Sequence, residues 1–322
     1  MHKIKVGVIG VGYLGKFHAQ KYSAMDGVDL VGVADLDTET GKAVADQYHT
    51  GFYRDFRELV EKVDAVSIVV PTTRHFEVAD ACLSAGKDVL IEKPITQTVA
   101  EAEKLIAKAE ARKLILQVGH LERFNPAVMA MEQYLTKPLF IESHRIHMFK
   151  SRGTDVDVVL DLMIHDIDII LNIVDSPIVT IHTVGVPVVT PTTDIANARL
   201  IFENGCTANV TVSRISKDNI RRIRVFQPRG FISVDYGNKE ITVIRLAKDL
   251  GENGLPREEI HKSSFIEADS LELELIDFVN NVRNRTTPKV SGREGLRALE
   301  LALLIMAQIK EHALRHRHLL DS

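Results

Sequence analysis

An apolar run, Val6-Gly-Val-Ile-Gly10, passes directly into Gly10-Val-Gly12-Tyr13-Leu14-Gly15. That G-x-G-x-x-G spacing constrains the fold more than any other feature of the 322 residues. Alone the pattern is weak; after a strand, opening a helix and inside a βαβ unit it carries weight. Both neighbours are right here: Ile4–Ile9 reads as a strand and Leu14–Met25 as a helix. Gly10 permits the tight turn, Gly12 lets backbone approach a pyrophosphate, and Gly15 allows the helix to pack on the strand. The helix start, with Tyr13 and Leu14, offers N–H groups and a positive dipole end to phosphates. Asp35 closes the next strand, about twenty residues after the last glycine, where an acid binds ribose hydroxyls and repels a 2′-phosphate. Leu36 follows it, with no arginine to greet such a phosphate. The expected cofactor is therefore NAD rather than NADP.

The first third continues the alternation. Apolar, β-branched runs at Val28–Ala34, Ala65–Val70, Val89–Ile91 and Leu114–Val118 read as parallel strands buried on both faces. Helical patterns at Thr38–Tyr48, Phe76–Ala85 and Val99–Arg112 lie between them, the last opened by the capping box Thr98-Val-Ala-Glu101. This predicts a right-handed, doubly wound α/β sheet over residues 1–120. After residue 120 the pattern changes to a second domain, 121–322, of α+β character. One helix-like run spans Val156–Val174. Strand-like runs follow without helices between them: Val179–Val189, Ala196–Phe202, Thr207–Arg214, Ile220–Phe226, Gly230–Asp235 and Glu240–Leu246. In Cys206-Thr-Ala-Asn-Val-Thr-Val-Ser213 apolar and polar residues alternate, as in a sheet with one face on a core. Helices near Ser270–Val282 and Glu294–His312 close the chain, and the tail Arg315-His-Arg-His318 reads as a solvated end.

Bulk properties remove other function classes. A net charge of -4 gives no reason to expect nucleic acid or an anionic membrane as partner. Two cysteines, Cys82 and Cys206, form no C-x-x-C pair, which argues against a disulfide framework or cysteine zinc site and for a reducing compartment. The opening residues do not read as a signal peptide, and no run has transmembrane length, so a cytoplasmic location is expected. The sequons at Asn209 and Asn284 are then chance matches.

Two clusters carry chemistry. Glu92-Lys93-Pro94 follows the fourth apolar strand at its C-terminal end, the edge where open α/β sheets bind ligands. Asp157-Val-Val-Leu-Asp161-Leu-Met-Ile-His165-Asp-Ile-Asp168 forms the second. Read as a helix, Asp161, His165 and Asp168 fall at i, i+4 and i+7 on one face, and apolar residues cover the rest. A polar stripe on a buried helix must face partners or a cavity. The alternatives are a structural Asp–His pair and a zinc site on His165 with Asp161 or Asp168, with His144 and His147 on a nearby strand. Strand alternation sets those two histidines on opposite faces, so no metal is assigned.

With these residues in view, the chain resembles the Gfo/Idh/MocA family of sugar and cyclitol oxidoreductases over nearly its whole length. The likeness rests on the glycine turn, Val70-Pro71-Thr72-Thr-Arg-His75, Glu92-Lys93-Pro94, Asp161-x-x-x-His165 and Ser291-Gly-x-x-Gly295-x-x-Ala298-Leu-Glu300. It implies a Rossmann domain followed by a domain on a large, open, mostly antiparallel sheet. It implies that Lys93, Asp161 and His165 meet at the nicotinamide, that Pro71, Thr72, His75, Glu92 and Lys93 line the cofactor, and that the Lys-Pro peptide is often cis. One departure is Arg152-Gly153-Thr-Asp-Val-Asp-Val-Val, where many members carry a glycine run. A narrower likeness, in Gly119-His-Leu-Glu-Arg123-Phe-Asn125-Pro126 and Met163-Ile-His-Asp-Ile-Asp168, is to bacterial members that oxidise the 3-hydroxyl of UDP-N-acetylglucosamine in lipid A precursor synthesis.

The expected chemistry is hydride loss from a secondary alcohol of a sugar or nucleotide sugar. His165 is the expected general base, since imidazole titrates near neutrality. Lys93 would stabilise alkoxide charge, and Asp161 would hold a neighbouring hydroxyl or orient His165. Arg123, Asn125, Lys150 and Arg152 are candidates to hold a diphosphate or its sugar. A free-sugar or myo-inositol dehydrogenase and a non-catalytic NAD- or sugar-sensing regulator are the competing readings. The complete Lys93, Asp161 and His165 set favours an enzyme. The polar-alternating sheet suggests a homodimer or homotetramer.

Overall fold

In the computed structural model, which describes residues 3–149, 157–250 and 255–315, the chain divides into two compact units. The first holds the chain up to Leu121 together with Asp269–Leu299. Its sheet contains β1 (Ile4–Ile9), β2 (Val28–Ala34), β3 (Gly51–Tyr53), β4 (Ala65–Ile68), β5 (Asp88–Glu92) and β6 (Leu116–Gly119). The order is β3-β2-β1-β4-β5-β6 and every pairing is parallel. Helices α1 (Gly15–Ala24), α2 (Thr38–Gln47), α3 (Phe56–Val60), α4 (His75–Ser84) and α5 (Val99–Arg112) make the crossovers. The order reverses between β1 and β4, so the segments after those two strands flank the crevice that such sheets offer to ligands. The Thr98–Glu101 capping box is formed at the start of α5. The short β3 and α3 escape sequence reading, since three and five residues cannot display a period.

The second unit holds Glu122–Ala268 and the described residues from Glu300 onward. It contains α6 (Pro126–Glu132), β7 (Phe140–Met148), α7 (Ile164–Ile173), β8 (Ile178–Val186), β9 (Ile195–Phe202), β10 (Thr207–Ser216), β11 (Ile220–Gln227), β12 (Gly230–Asp235), β13 (Glu240–Leu250) and β14 (Pro256–Ser264). They form one sheet, β14-β13-β12-β11-β7-β10-β9-β8, antiparallel except where β7 meets β10. Alternation sorts the faces. Ile141, Val210, Val212, Ile223, Val225, Ile232 and Val234 are buried on one face. The other face carries a row set by register: Phe140 opposite Phe226, Phe226 opposite Phe231, Phe231 opposite Ile244. The three phenylalanine rings stack along that row at centroid distances of 5.9 and 5.5 Å. β14 was not expected from sequence, because its exposed polar residues show no apolar period; pairing with β13 makes it a strand.

The domain boundary needs one correction. The first unit takes the chain up to Leu121 and also Asp269–Leu299, so residues 121–322 are not all of the second. Helix α8 (Ser270–Asn284) belongs to the first unit, and α9 (Gly292–Arg315) begins there. Leu271, Leu275, Phe278, Val279 and Val282 of α8 join Val6, Val8, Tyr22 and Leu90 in one buried cluster. Phe278 is fully buried there. Truncating such a phenylalanine to alanine costs about 3–5 kcal/mol, so α8 is part of what holds this sheet together.

Candidate active site

The glycine turn follows β1 at the switch point. Gly10 has φ +85, and a Cβ there would lie 2.7 Å from the Val69 carbonyl oxygen, so the turn runs against the segment after β4. A Cβ on Gly12 would meet no protein atom within 4 Å. The turn therefore leaves open room where a phosphate would approach. Leu14 at the head of α1 makes no side-chain cap, and the first turn holds no acid. A helix start of this kind suits an anion. Asp35 follows β2; its Oδ2 accepts the Val11 N–H at 2.8 Å and its Oδ1 accepts the Asp37 N–H at 2.9 Å. The carboxylate is thereby fixed beside the turn with lone pairs left for hydroxyl donors. Tyr13 and Leu36 are both well exposed around it, and Tyr13 packs edge-on against Phe17 at 5.8 Å. The residues present fit a dinucleotide: uncapped helix start, open glycine, pinned acid.

Lys93 lies just past the end of β5 and is half-buried, with buried Ile91 and Pro94 on either side. The Lys93–Pro94 peptide is cis. Glu92 is itself half-buried and faces His18, whose Nε2 is 3.2 Å from Glu92 Oε1. Pro71 is exposed, and Thr72 is half-buried in the short turn Thr72–Arg74 after β4. His75 opens α4 immediately after that turn. Its ring is buried, with Nδ1 2.8 Å from the Pro94 carbonyl oxygen and Nε2 2.9 Å from that of Val70. Burial pushes its pKa below the ordinary histidine value. It ties the Lys93–Pro94 turn to the end of β4.

In the second unit the helical run behind Asp161 and His165 opens as a π-helical turn, Val159–Met163, before α7 begins at Ile164. Such turns recur at functional sites. Asp161 and His165 are half-buried while Met163, Ile164, Ile167 and Asp168 are buried. The predicted stripe therefore splits: Asp161 and His165 stay part-open, and Asp168 turns into the interior toward Arg123 at 3.4 Å.

That pairing places Arg123 in the interior of the unit. Its guanidinium is buried against Asp168 and donates to Asn172 Oδ1 at 2.7 Å. Asn125 is buried too: its Oδ1 accepts the Ala127 N–H at the start of α6, and its Nδ2 donates to Glu122 and to the Tyr236 carbonyl. Both side chains are buried and hydrogen-bonded within the second unit. Arg152 and Lys150 lie outside the described residues.

Sequence reading missed one group here. Asp166 is fully buried, accepting from Ser143 Oγ at 2.7 Å and Arg145 Nε at 2.7 Å, while Arg145 also reaches Glu122 at 2.8 Å. Burial opposes the charge on Arg145, but the two carboxylates outweigh it and hold its pKa above the ordinary value. The signal was present: Arg145 occupies the inward register of β7, with Ile141 and Ser143. A charge at such a position demands a buried partner. Among the described residues no three His, Cys, Asp or Glu side chains gather as a metal would require, and no helix is long and apolar enough to cross a membrane.

Comparison with known proteins agrees with this geometry. Residues 4–120 match the model of an oxidoreductase family with an NAD-binding Rossmann fold, and residues 128–233 match the GFO/IDH/MocA C-terminal domain. The chain is 36% identical to the UDP-N-acetylglucosamine 3-dehydrogenase of Acidithiobacillus ferrooxidans, over 96% of this chain and 98% of that one. The solved structure of that enzyme superposes with TM-score 0.89 across 97% of this chain and 99% of its own. The myo-inositol 2-dehydrogenase of Thermotoga maritima is 27% identical over 96% of this chain and 97% of its length. A levoglucosan dehydrogenase solved with NADH and levoglucosan shares the fold, with TM-score 0.86 at 18% identity, over 96% of this chain and 98% of that one.

Proposed function

The chain belongs to the Gfo/Idh/MocA oxidoreductase family, and from that premise we propose that it oxidises the 3-hydroxyl of a UDP-N-acetyl sugar such as UDP-N-acetylglucosamine, with NAD as acceptor. The observation that carries the substrate is the 36% identity, across almost the full length of both chains, to a relative with that named activity. A reaction of this kind would serve lipid A precursor synthesis. A free-sugar or inositol dehydrogenase is the second reading, favoured by the full-length inositol relative at 27%.

Bound NAD supplies the hydride acceptor. The chain supplies the rest. The Gly10–Gly15 turn and the start of α1 would hold the pyrophosphate, and Asp35 the adenosine ribose hydroxyls. An acid at that position disfavours the 2′-phosphate of NADP. His165 takes the hydroxyl proton as general base, a role suited to an imidazole near neutral pH. Lys93 donates to the same oxygen and stabilises the negative charge that grows as the C–H bond breaks. Asp161 holds a neighbouring hydroxyl or the imidazole itself. We also assign the aromatic row of the open sheet face, Phe140, Phe226 and Phe231, to pairing with a second copy of this chain, as a homodimer or within a homotetramer.

The test is a panel of UDP-N-acetylglucosamine, UDP-N-acetylgalactosamine, UDP-glucose, free N-acetylglucosamine and myo-inositol with NAD, followed by NADH absorbance. A 3-ketosugar aminotransferase added as trap removes an unfavourable equilibrium. Turnover confined to UDP-N-acetyl sugars is expected. Turnover of inositol or free sugars alone would overturn the substrate, and no turnover of any of them with the trap present would overturn the reaction.

A further inference from the structure

His18 is a fully buried imidazole on α1, the helix whose first turn follows the glycine motif. Its Nε2 lies 3.2 Å from Oε1 of Glu92, a side chain only 13% exposed. Glu92 ends β5 and immediately precedes Lys93. Gly119 sits opposite Glu92 in the β5–β6 register. A Cβ on Gly119 would fall 2.9 to 3.0 Å from the Glu92 Cδ and both its oxygens. The carboxylate thus occupies the space a side chain on β6 would take, and it is held from two sides. Burying an acid and an imidazole is costly unless each answers the other. The strand does not need them, because β5 already pairs along its backbone on both sides.

We propose that His18 is a positioning residue for Lys93. Through the 3.2 Å contact of its Nε2 with the Glu92 carboxylate it fixes the Glu92–Lys93 backbone, and with it the aim of the ammonium. It also ties that aim to α1, so the element that would seat the cofactor phosphates and the element that carries Lys93 move as one piece. His75, fixed on the Pro94 carbonyl, restrains the same turn from its other end. The pair acts at a distance from substrate: it sets where Lys93 points and transfers no proton itself. The inference rests on the reading that Lys93 meets the reacting hydroxyl.

The experiment uses His18→Leu, His18→Gln and Gly119→Ala in the full chain. Leucine removes the polar contact with Glu92. Glutamine can place an amide nitrogen near the position of Nε2. Alanine at 119 displaces the flexible end of Glu92 while leaving both strands intact. Reductive methylation with isotope-labelled formaldehyde gives Lys93 its own NMR signal, assigned by its loss in Lys93→Arg. His18→Leu and Gly119→Ala are each expected to move that signal, and His18→Gln to keep it. With UDP-N-acetylglucosamine and NAD, kcat should fall about tenfold or more in the first two variants, as expected for a misaimed group. Binding of NADH, followed by fluorescence, should change less than about threefold, which separates aim from binding. In the Lys93→Ala background His18→Leu should have no further effect on kcat. An unmoved Lys93 signal in folded His18→Leu or Gly119→Ala overturns the proposal. If the native chain does not turn over this sugar, the hydroxyl reading fails, and the Lys93 signal still decides the positioning.

Discussion

Arg145 Nε donates to Asp166 Oδ2 at 2.7 Å inside the second unit, one residue along the chain from His165. Ser143 and Glu122 complete the group, and the Arg145 guanidinium lies 5.1 Å from the Tyr236 ring centroid. The group anchors α7 to β7 and so fixes the stretch that presents His165. Removing one partner of a buried pair leaves the other charged and unanswered, at a cost of about 3–5 kcal/mol. Arg145→Ala is expected to lower the melting temperature by several degrees or prevent folding. Replacing Arg145 and Asp166 together with Met and Leu should be far milder. Thermal melts followed by circular dichroism check this; equal losses in the two variants would show that the ion pair itself is not what matters.

Lys93→Ala and His165→Ala test the chemistry directly. Each should lower kcat about a hundredfold or more, with NADH affinity within about threefold of the native protein. Either variant turning over near the native rate, with normal NADH binding, removes that residue from the reaction.

The Rossmann unit was legible because its signals are local. The Gly10–Gly15 turn, Asp35 and the Thr98–Glu101 box lie within single loops or helix starts, and parallel strands buried on both faces announce themselves as apolar runs. What was not legible is long-range. Nothing in Ser270–Val282 says that this helix packs beside Tyr22 and Val8 rather than on the sheet preceding it in the chain. Arg123 and Asn125 read as candidates for a diphosphate or its sugar because arginine suits bidentate phosphate contacts, and nothing local to them signals that both are buried. Their partners, Asp168 and the Tyr236 carbonyl, stand 45 and 111 residues away. His18 carried no signal either: a histidine in a helix becomes informative only once Glu92 and Gly119 are placed beside it.

Asp35 sets cofactor choice in this reading. Asp35→Asn keeps an oxygen to accept the Val11 N–H and removes the charge. NADPH binding should tighten by about tenfold as the repulsion of the 2′-phosphate is lost, while NADH binding weakens. Fluorescence titration with each nucleotide measures both. Unchanged discrimination in Asp35→Asn would place cofactor selection elsewhere.

The open face of the eight-stranded sheet offers a test of assembly. Phe226 stands between Phe140 and Phe231 in a half-buried row. Two copies of such a row can meet across a two-fold axis, since each patch then contacts its own image. Phe226→Glu should yield a smaller particle by light scattering with the melting temperature little changed. A native mass already equal to one chain would exclude the pairing.

Asp194 gives the second unit a pH dependence whose sign can be worked out. Its side chain is fully buried, yet its Oδ2 accepts the N–H groups of Val188, Val189 and Thr190, and its Oδ1 the Thr190 hydroxyl. Burial pushes the carboxyl up, and these donors overcome it and hold the pKa at about 2, against an ordinary 3.8. A carboxyl lowered by folding stabilises fully above its unfolded value, and that stability is lost as pH falls through its folded one. Asp194→Asn removes the charge and turns an amide N–H toward donors, so it should cost about 1–2 kcal/mol at neutral pH. The gap in melting temperature between the native protein and Asp194→Asn should hold from neutral pH down to about pH 4 and narrow toward pH 2. A gap that widens with acidification would mean that the native carboxyl is not lowered at all.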